Sequence, residues 1–115
     1  MSSVERAWIK EFPAAITVCD LEGIILEMND KSVGVFAEDG GRELIGKNIL
    51  DCHPQPASSK LEKMMRSRTE NTYTIEKKGV KKLIHQAPWY KAGAYAGFVE
   101  ISLEIPFELS HFVRD

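Results

Sequence analysis

Between Asn71 and Ile105 the chain reads NTYTIEKKGVKKLIHQAPWYKAGAYAGFVEISLEI. Three stretches rich in β-branched and aromatic residues follow one another with only KKG and KAG as breaks. Such side chains favour extended backbone, and glycine in a short connection supplies the turn. Parallel neighbours need a crossover of about a dozen or more residues, so strands joined this tightly must pair antiparallel. An earlier pair, AAITVCD and GIILEMN, brackets the turn sequence DLEG and forms a second hairpin.

Helical patterns occupy the remainder. Residues 2–12 place Val4, Trp8 and Phe12 at i, i+4 and i+8, with Ala7 beside them, and Pro13 stops the run. Ser2 and Glu5 have the spacing of a capping box. Asp30 is placed to cap a short helix through Phe36, which EDGG ends, and Arg42 to Ile45 adds a turn closing at Gly46. In NILDCHPQPASS, Pro54 and Pro56 hold Cys52–Gln55 out of a helix. Ser59 and Glu62 predict a second capping box, opening a helix to about Thr69 with Leu61, Met64 and Met65 on one face. Pro106 suits the first turn of a short terminal helix, FELSHFVRD. The order is helix, two strands, helices, three strands, helix. That is an α+β fold: a five-stranded antiparallel sheet with helices on one face.

At 115 residues this is one domain: an N-terminal helix over 2–12, a core over 14–105 and a tail over 106–115. The net charge of −2 gives no general attraction to nucleic acid or anionic lipid. Lys77, Lys78, Lys81 and Lys82 read as a solvated hairpin tip, offset by Glu70 and Glu76 and without the aromatic ladder of a nucleic-acid surface. No apolar run is long enough to cross a bilayer, and the N-terminal MSSVERAWIKEF has charges where a signal peptide is apolar. A cytoplasmic protein with Cys19 and Cys52 as free thiols is expected. No paired carboxylates, nucleophile triad or phosphate loop stand out, so no enzyme and no catalytic residue is expected.

DLEGIILEMN, ELIGKNI and KAGAYAGFVEISLEI, in this order and spacing, resemble a PAS domain, the small sensor module of signalling proteins. The resemblance covers about residues 10–105. GKNILDCHPQPAS is similar to a narrower subgroup with a Cys-His-Pro run followed by Ser, associated with hemerythrin-linked signalling proteins. The resemblance implies a sensing or interaction module whose ligand lies between the inner face of the sheet and the helical middle. Its wall would then include Leu61, Met64 and Met65 from the long helix. Strand alternation puts Ile84 and Gln86 on one face and His85 and Trp89 on the other. The resemblance points Ile84 and Gln86 inward, together with Thr17 and Cys19 on the first strand and Val99 and Ile101 on the last. Ile49, Cys52 and His53 would edge the pocket.

Cofactors stay open, with neither haem nor flavin indicated. PAS haem sensors usually ligate iron from the long helix, which here has no histidine; His53 lies just before it. Light-sensing relatives carry GxNC, and here Ile49 stands in the cysteine's place after Gly46-Lys47-Asn48. Cys52 and His53 alone are too few ligands for zinc. Their plainer reading is a small buried thiol and a loop histidine bonded to backbone. With Val99 inward, Trp89 and Phe98 would lie on the outer face, where the helix bearing Val4, Trp8 and Phe12 covers them or pairs with a second copy. A homodimer is expected, beside a small-molecule ligand and a signalling protein of unknown identity. The competing readings are a haem or metal redox sensor using His53 and Cys52, and a dimerisation module with no ligand.

Overall fold

Both hairpins form. The computed structural model describes residues 3–115, without the side chains of residues 3–6 and of Cys52. Strands β1 (Ala15–Asp20) and β2 (Ile25–Met28) pair antiparallel. Strands β3 (Asn71–Lys77), β4 (Val80–Lys91) and β5 (Ala94–Ile105) form the meander. Its two turns, Lys78-Gly79 and Ala92-Gly93, each hold two positive φ angles, 53° with 78° and 51° with 83°. Positive φ at both central positions is the hairpin turn whose twist matches the flanking strands. β1 pairs with β5 from Ala15–Ser102 to Asp20–Gly97, giving the order β2-β1-β5-β4-β3.

Helices α2 (Asp30–Val35) and α3 (Ala57–Ser67) cover one face, with 3₁₀ turns at 37–39, 41–44 and 49–52 between them. Cys19, Ile25, Met28, Leu44, Ile49, Leu61, Met64, Met65 and Phe98 make the core there. The GKN segment is fixed to the first hairpin by backbone bonds, Ile25 N–H to the Lys47 carbonyl at 2.9 Å and Ile49 N–H to the Gly23 carbonyl at 2.7 Å. Helix α1 (Ser3–Lys10) lies beside the opposite face.

Several expectations are corrected. The last strand has the other phase. Phe98 stands opposite Cys19, and Glu100 opposite both Thr17 and Gln86. Cross-strand partners share a face, so Phe98 and Glu100 face the helices, while Val99 and Ile101 lie on the outer face. A one-residue error in phase moves every side chain of a strand. The cap of α2 is Asn29, not Asp30; its Oδ1 accepts the Ser32 N–H at 3.1 Å. Helix α3 begins at Ala57, two residues before Ser59, because the proline-loop carbonyls already accept helical bonds: Pro54 from Ser58 N–H and Pro56 from Lys60 N–H. Ser59 bonds the Gln55 side chain instead of capping. Helix α1 ends at Lys10, and the Ser2–Glu5 box and the Val4 side chain lie outside the described residues. The tail after Ile105 has no helix. Phe107, Leu109, Phe112 and Val113 are all exposed, and a short helix with no surface to pack on is marginal in water.

Candidate functional site

Among the described residues, two cavities on the inner face share one residue, His53. The first, about 200 Å³, is walled by Thr17, Ile25, Met28, Phe36, Asp39, Leu44, Ile49, His53 and Glu100. The second, about 240 Å³, is walled by His53, Ala57, Lys60, Leu61, Met64, Asn71, Tyr73 and Gln86. The first is mostly apolar, with Thr17, His53 and Glu100 as polar exceptions and Asp39 among its residues. A few placed polar groups in an apolar cleft is the usual make-up of a ligand site.

Those polar groups are held by specific partners. Thr17 and Ser32 hydroxyls lie 2.6 Å apart, both buried. Gln86 Nε2 donates to Glu100 Oε2 at 2.9 Å, and Asn71 Nδ2 donates to Gln86 Oε1 at 3.3 Å. A buried glutamine must find partners, and here the pairing register supplies them from both neighbouring strands. His53 Nδ1 lies 2.8 Å from the Ile49 carbonyl. A carbonyl only accepts, so Nδ1 carries the proton and the neutral ring keeps Nε2 as an acceptor. Burial, with a further push from the Glu100 charge, raises the Tyr73 phenol above its usual range. Burial likewise pushes the Cys19 thiol up, the environment of an unreactive core cysteine.

Of the expected pocket residues, Thr17, Ile49 and His53 meet at the first cavity and His53, Leu61, Met64 and Gln86 at the second. Cys19, Ile84 and Met65 are buried but wall neither. Met65 offers its carbonyl to the Tyr95 hydroxyl at 2.5 Å. Val99 and Ile101 are on the far side of the sheet, and the Cys52 side chain is outside the described residues. Sequence reasoning missed Glu100, which the alternation of FVEISLEI places opposite Gln86 once the turn is set. It also missed Asn29.

Asn29 joins the two faces. Its Oδ1 accepts from Ile16 N–H at 2.9 Å as well as from Ser32. Its Nδ2 faces the carbonyls of Ile9 at 3.0 Å and Ala14 at 2.8 Å. One side chain thus ties the end of α1, the entry to β1 and the start of α2. Ser32, which it caps, is the partner of Thr17 in the chamber wall.

The outer face is open. A groove of about 780 Å³ runs between α1 and the sheet, with Ala7, Ile9, Val18, Leu26, Trp89 and Val99 among its walls. Trp8 is 60% exposed and Phe12 43% exposed. Their rings meet edge to face at 5.7 Å. The Trp89 indole N–H donates to the Cys19 carbonyl at 2.9 Å. It does so across Gly97, where a Cβ would sit 2.0 Å from that same oxygen and 2.8 Å from the indole nitrogen. At the rim Asp30 lies 3.0 Å from Lys10 and 3.6 Å from Arg42. The Lys10 hydrogen bond is the largest effect holding the Asp30 carboxyl below its usual range.

Phe98, expected on this outer face, is buried in the core. Among the described residues no three His, Cys, Asp or Glu side chains gather as a metal site. A haem does not fit the first cavity as shaped: at about 200 Å³ it is smaller than the ~300–1,000 Å³ that drug-sized ligands occupy. Among the described residues no helix is long and apolar enough to cross a membrane.

No protein-family model matches the sequence, and no curated protein matches it. Solved structures do match in shape. The C-terminal domain of a Streptococcus mutans protein is 22% identical, with 90% of this chain and 85% of that one covered and a TM-score of 0.69. The PAS domain of Bordetella pertussis BvgS is 19% identical over 90% of this chain and 85% of that one, with a TM-score of 0.64. The Vibrio cholerae Aer2 receptor, a dual PAS-haem oxygen sensor, is 20% identical over 81% of this chain and 95% of that one, with a TM-score of 0.59. The fold is the PAS fold.

Proposed function

We propose that this PAS-fold chain is a signal-sensing module, not an enzyme, that binds a small ligand in the inner chamber and passes occupancy to α1. The observation that carries the reading is the chamber itself. It is an apolar cavity in which Thr17, His53 and Glu100 are each held in place by a hydrogen bond. A ligand that moves Thr17 shifts Ser32, and through Ser32 the Asn29 side chain that grips the end of α1. That is a two-state packing element, and a ligand biases it by its differential affinity for the two states. The relatives named for sensing, among them a PAS-haem oxygen sensor, fit the same reading.

A second reading rests on the outer face. Trp8 and Phe12 stand exposed beside an open apolar groove, and aromatic residues are enriched at interfaces. A second copy of this chain would cover them as a two-fold dimer.

Nuclear magnetic resonance with a library of metabolite-sized compounds tests both. Binding in the chamber shifts Thr17, Ile49, His53 and Glu100, with a smaller response over 9–16. Shifts confined to Trp8, Phe12 and Trp89, or none at all, favour the dimerisation module, whose mass native mass spectrometry reads directly.

A further inference from the structure

The chamber is electrostatically one-sided. Glu100 uses one carboxylate oxygen, Oε2, to accept from Gln86. Among the described residues no lysine, arginine or histidine lies within salt-bridge distance of it. None of the nine residues walling the chamber is a lysine or arginine, and Asp39 brings a second carboxylate. His53 presents an acceptor when neutral, because its Nδ1 proton is committed to the Ile49 carbonyl. Thr17 is the one hydroxyl among the nine lining residues, and it is paired at 2.6 Å with the Ser32 hydroxyl buried behind it. The rest of the wall is aliphatic, thioether and phenyl surface from Ile25, Met28, Leu44 and Phe36.

From this we infer, taking the chamber to be a ligand site, that its ligand is a small organic cation: an amine or amidine on a compact apolar body. Closing the chamber over a neutral molecule would remove water from the Glu100 carboxylate without supplying a countercharge, and an uncompensated buried charge is strongly unfavourable. An anion would meet that carboxylate directly. A cationic head satisfies the second oxygen of Glu100 with a charge-assisted hydrogen bond, while the apolar body fills the space toward Leu44 and Phe36. Size sets the other limit. A cavity of about 200 Å³ lies below the ~300–1,000 Å³ of sites for drug-sized ligands. A one-ring amine meets that limit and a fused multi-ring cofactor exceeds it.

The test compares three probes of nearly equal size on the whole chain: benzylamine, benzyl alcohol and benzoate. Affinities come from nuclear magnetic resonance titration, which also reports the place of binding. Benzylamine is expected to shift Thr17, His53 and Glu100 and to bind at least about tenfold more tightly than benzyl alcohol, the step a charged hydrogen bond supplies, with benzoate weakest. Glu100→Gln is expected to remove that preference. Equal or tighter binding of benzyl alcohol or benzoate in the chamber overturns the cation assignment while the chamber remains a ligand site. Failure of all three to shift any chamber residue overturns the chamber reading and the cation with it. Unchanged benzylamine affinity in Glu100→Gln also overturns the assignment. If that variant does not fold, the ranking of the three probes on the unaltered protein decides.

Discussion

The two faces of one sheet are built to different ends. On the inner face every buried polar side chain among the described residues is satisfied, and the cavities are small and walled. On the outer face the space is several times larger and open, and Trp8 and Phe12 stand in water. Strand alternation places both on the same backbone: Glu100 faces the chamber and its neighbour Val99 the groove. The proposed function uses the closed face for a ligand and the open face for a second copy. The physical link between the faces is Asn29, because it bonds Ser32 on the helix side and the Ile9 and Ala14 carbonyls on the α1 side.

That contrast can be broken most sharply at Gly97. Its φ is 151°, and a Cβ there would sit 2.0 Å from the Cys19 carbonyl oxygen, which leaves no room for a methyl group. Gly97→Ala is expected to lower stability by about 3 kcal/mol or more, through backbone displacement and loss of the Trp89 hydrogen bond. Urea unfolding measures it, and a wild-type midpoint would show that the strand crossing tolerates a side chain.

Asn29→Ala comes next. It removes the α2 cap and leaves the Ile16 N–H and the Ile9 and Ala14 carbonyls without their partner. A loss of about 2–4 kcal/mol is expected, together with detachment of α1. A stable variant with α1 still docked would remove Asn29 as the link.

Thr17→Val starts from the inner face. It leaves the fully buried Ser32 hydroxyl without Thr17 as partner, for about 1–2 kcal/mol by thermal or chemical denaturation. Trp8→Ala is the outer-face counterpart. Its exposure puts the monomer effect within about 0.5 kcal/mol, while any dimer should weaken strongly in sedimentation or native mass spectrometry. A wild-type dimer constant in that variant would take Trp8 out of the interface.

The smallest effect concerns pH. Asp30 has a carboxyl pKa lowered from 3.8, by Lys10 first. A depressed folded pKa contributes stability above the unfolded value and loses it as pH falls through the folded one. Below about pH 4 the tether between α1 and the rim therefore weakens, and Asp30→Asn should flatten this part of the acid profile. The group is exposed, so the change is small.

Much of the fold was legible because local signals agreed. The KKG and KAG breaks each contain a two-residue turn with glycine second, and each forms the hairpin turn that glycine permits. The chamber was legible only in part. Thr17, Ile49 and His53 line it as the sequence suggests, whereas Val99 lies on the other face, because an apolar run such as YAGFVEI alternates without a polar marker until Glu100. Pairing with β4 sets the phase, and that is a long-range fact. The α3 start was misread because Ser59-x-x-Glu62 has capping spacing, while the carbonyls of Pro54 and Pro56 begin the helix earlier. The terminal helix failed because its apolar residues have nothing to pack against in this chain.

Amide hydrogen exchange in Thr17→Val tests the link between the faces most directly. The amides of Ile16 and Ser32 both donate to Asn29 Oδ1. If chamber and α1 are coupled through that side chain, the substitution should speed exchange at Ser32, at Ile16 and at Phe12, whose N–H closes the end of α1 on the Ile9 carbonyl. Faster exchange at Ser32 alone, with Ile16 and Phe12 as protected as in the unaltered protein, would contradict it.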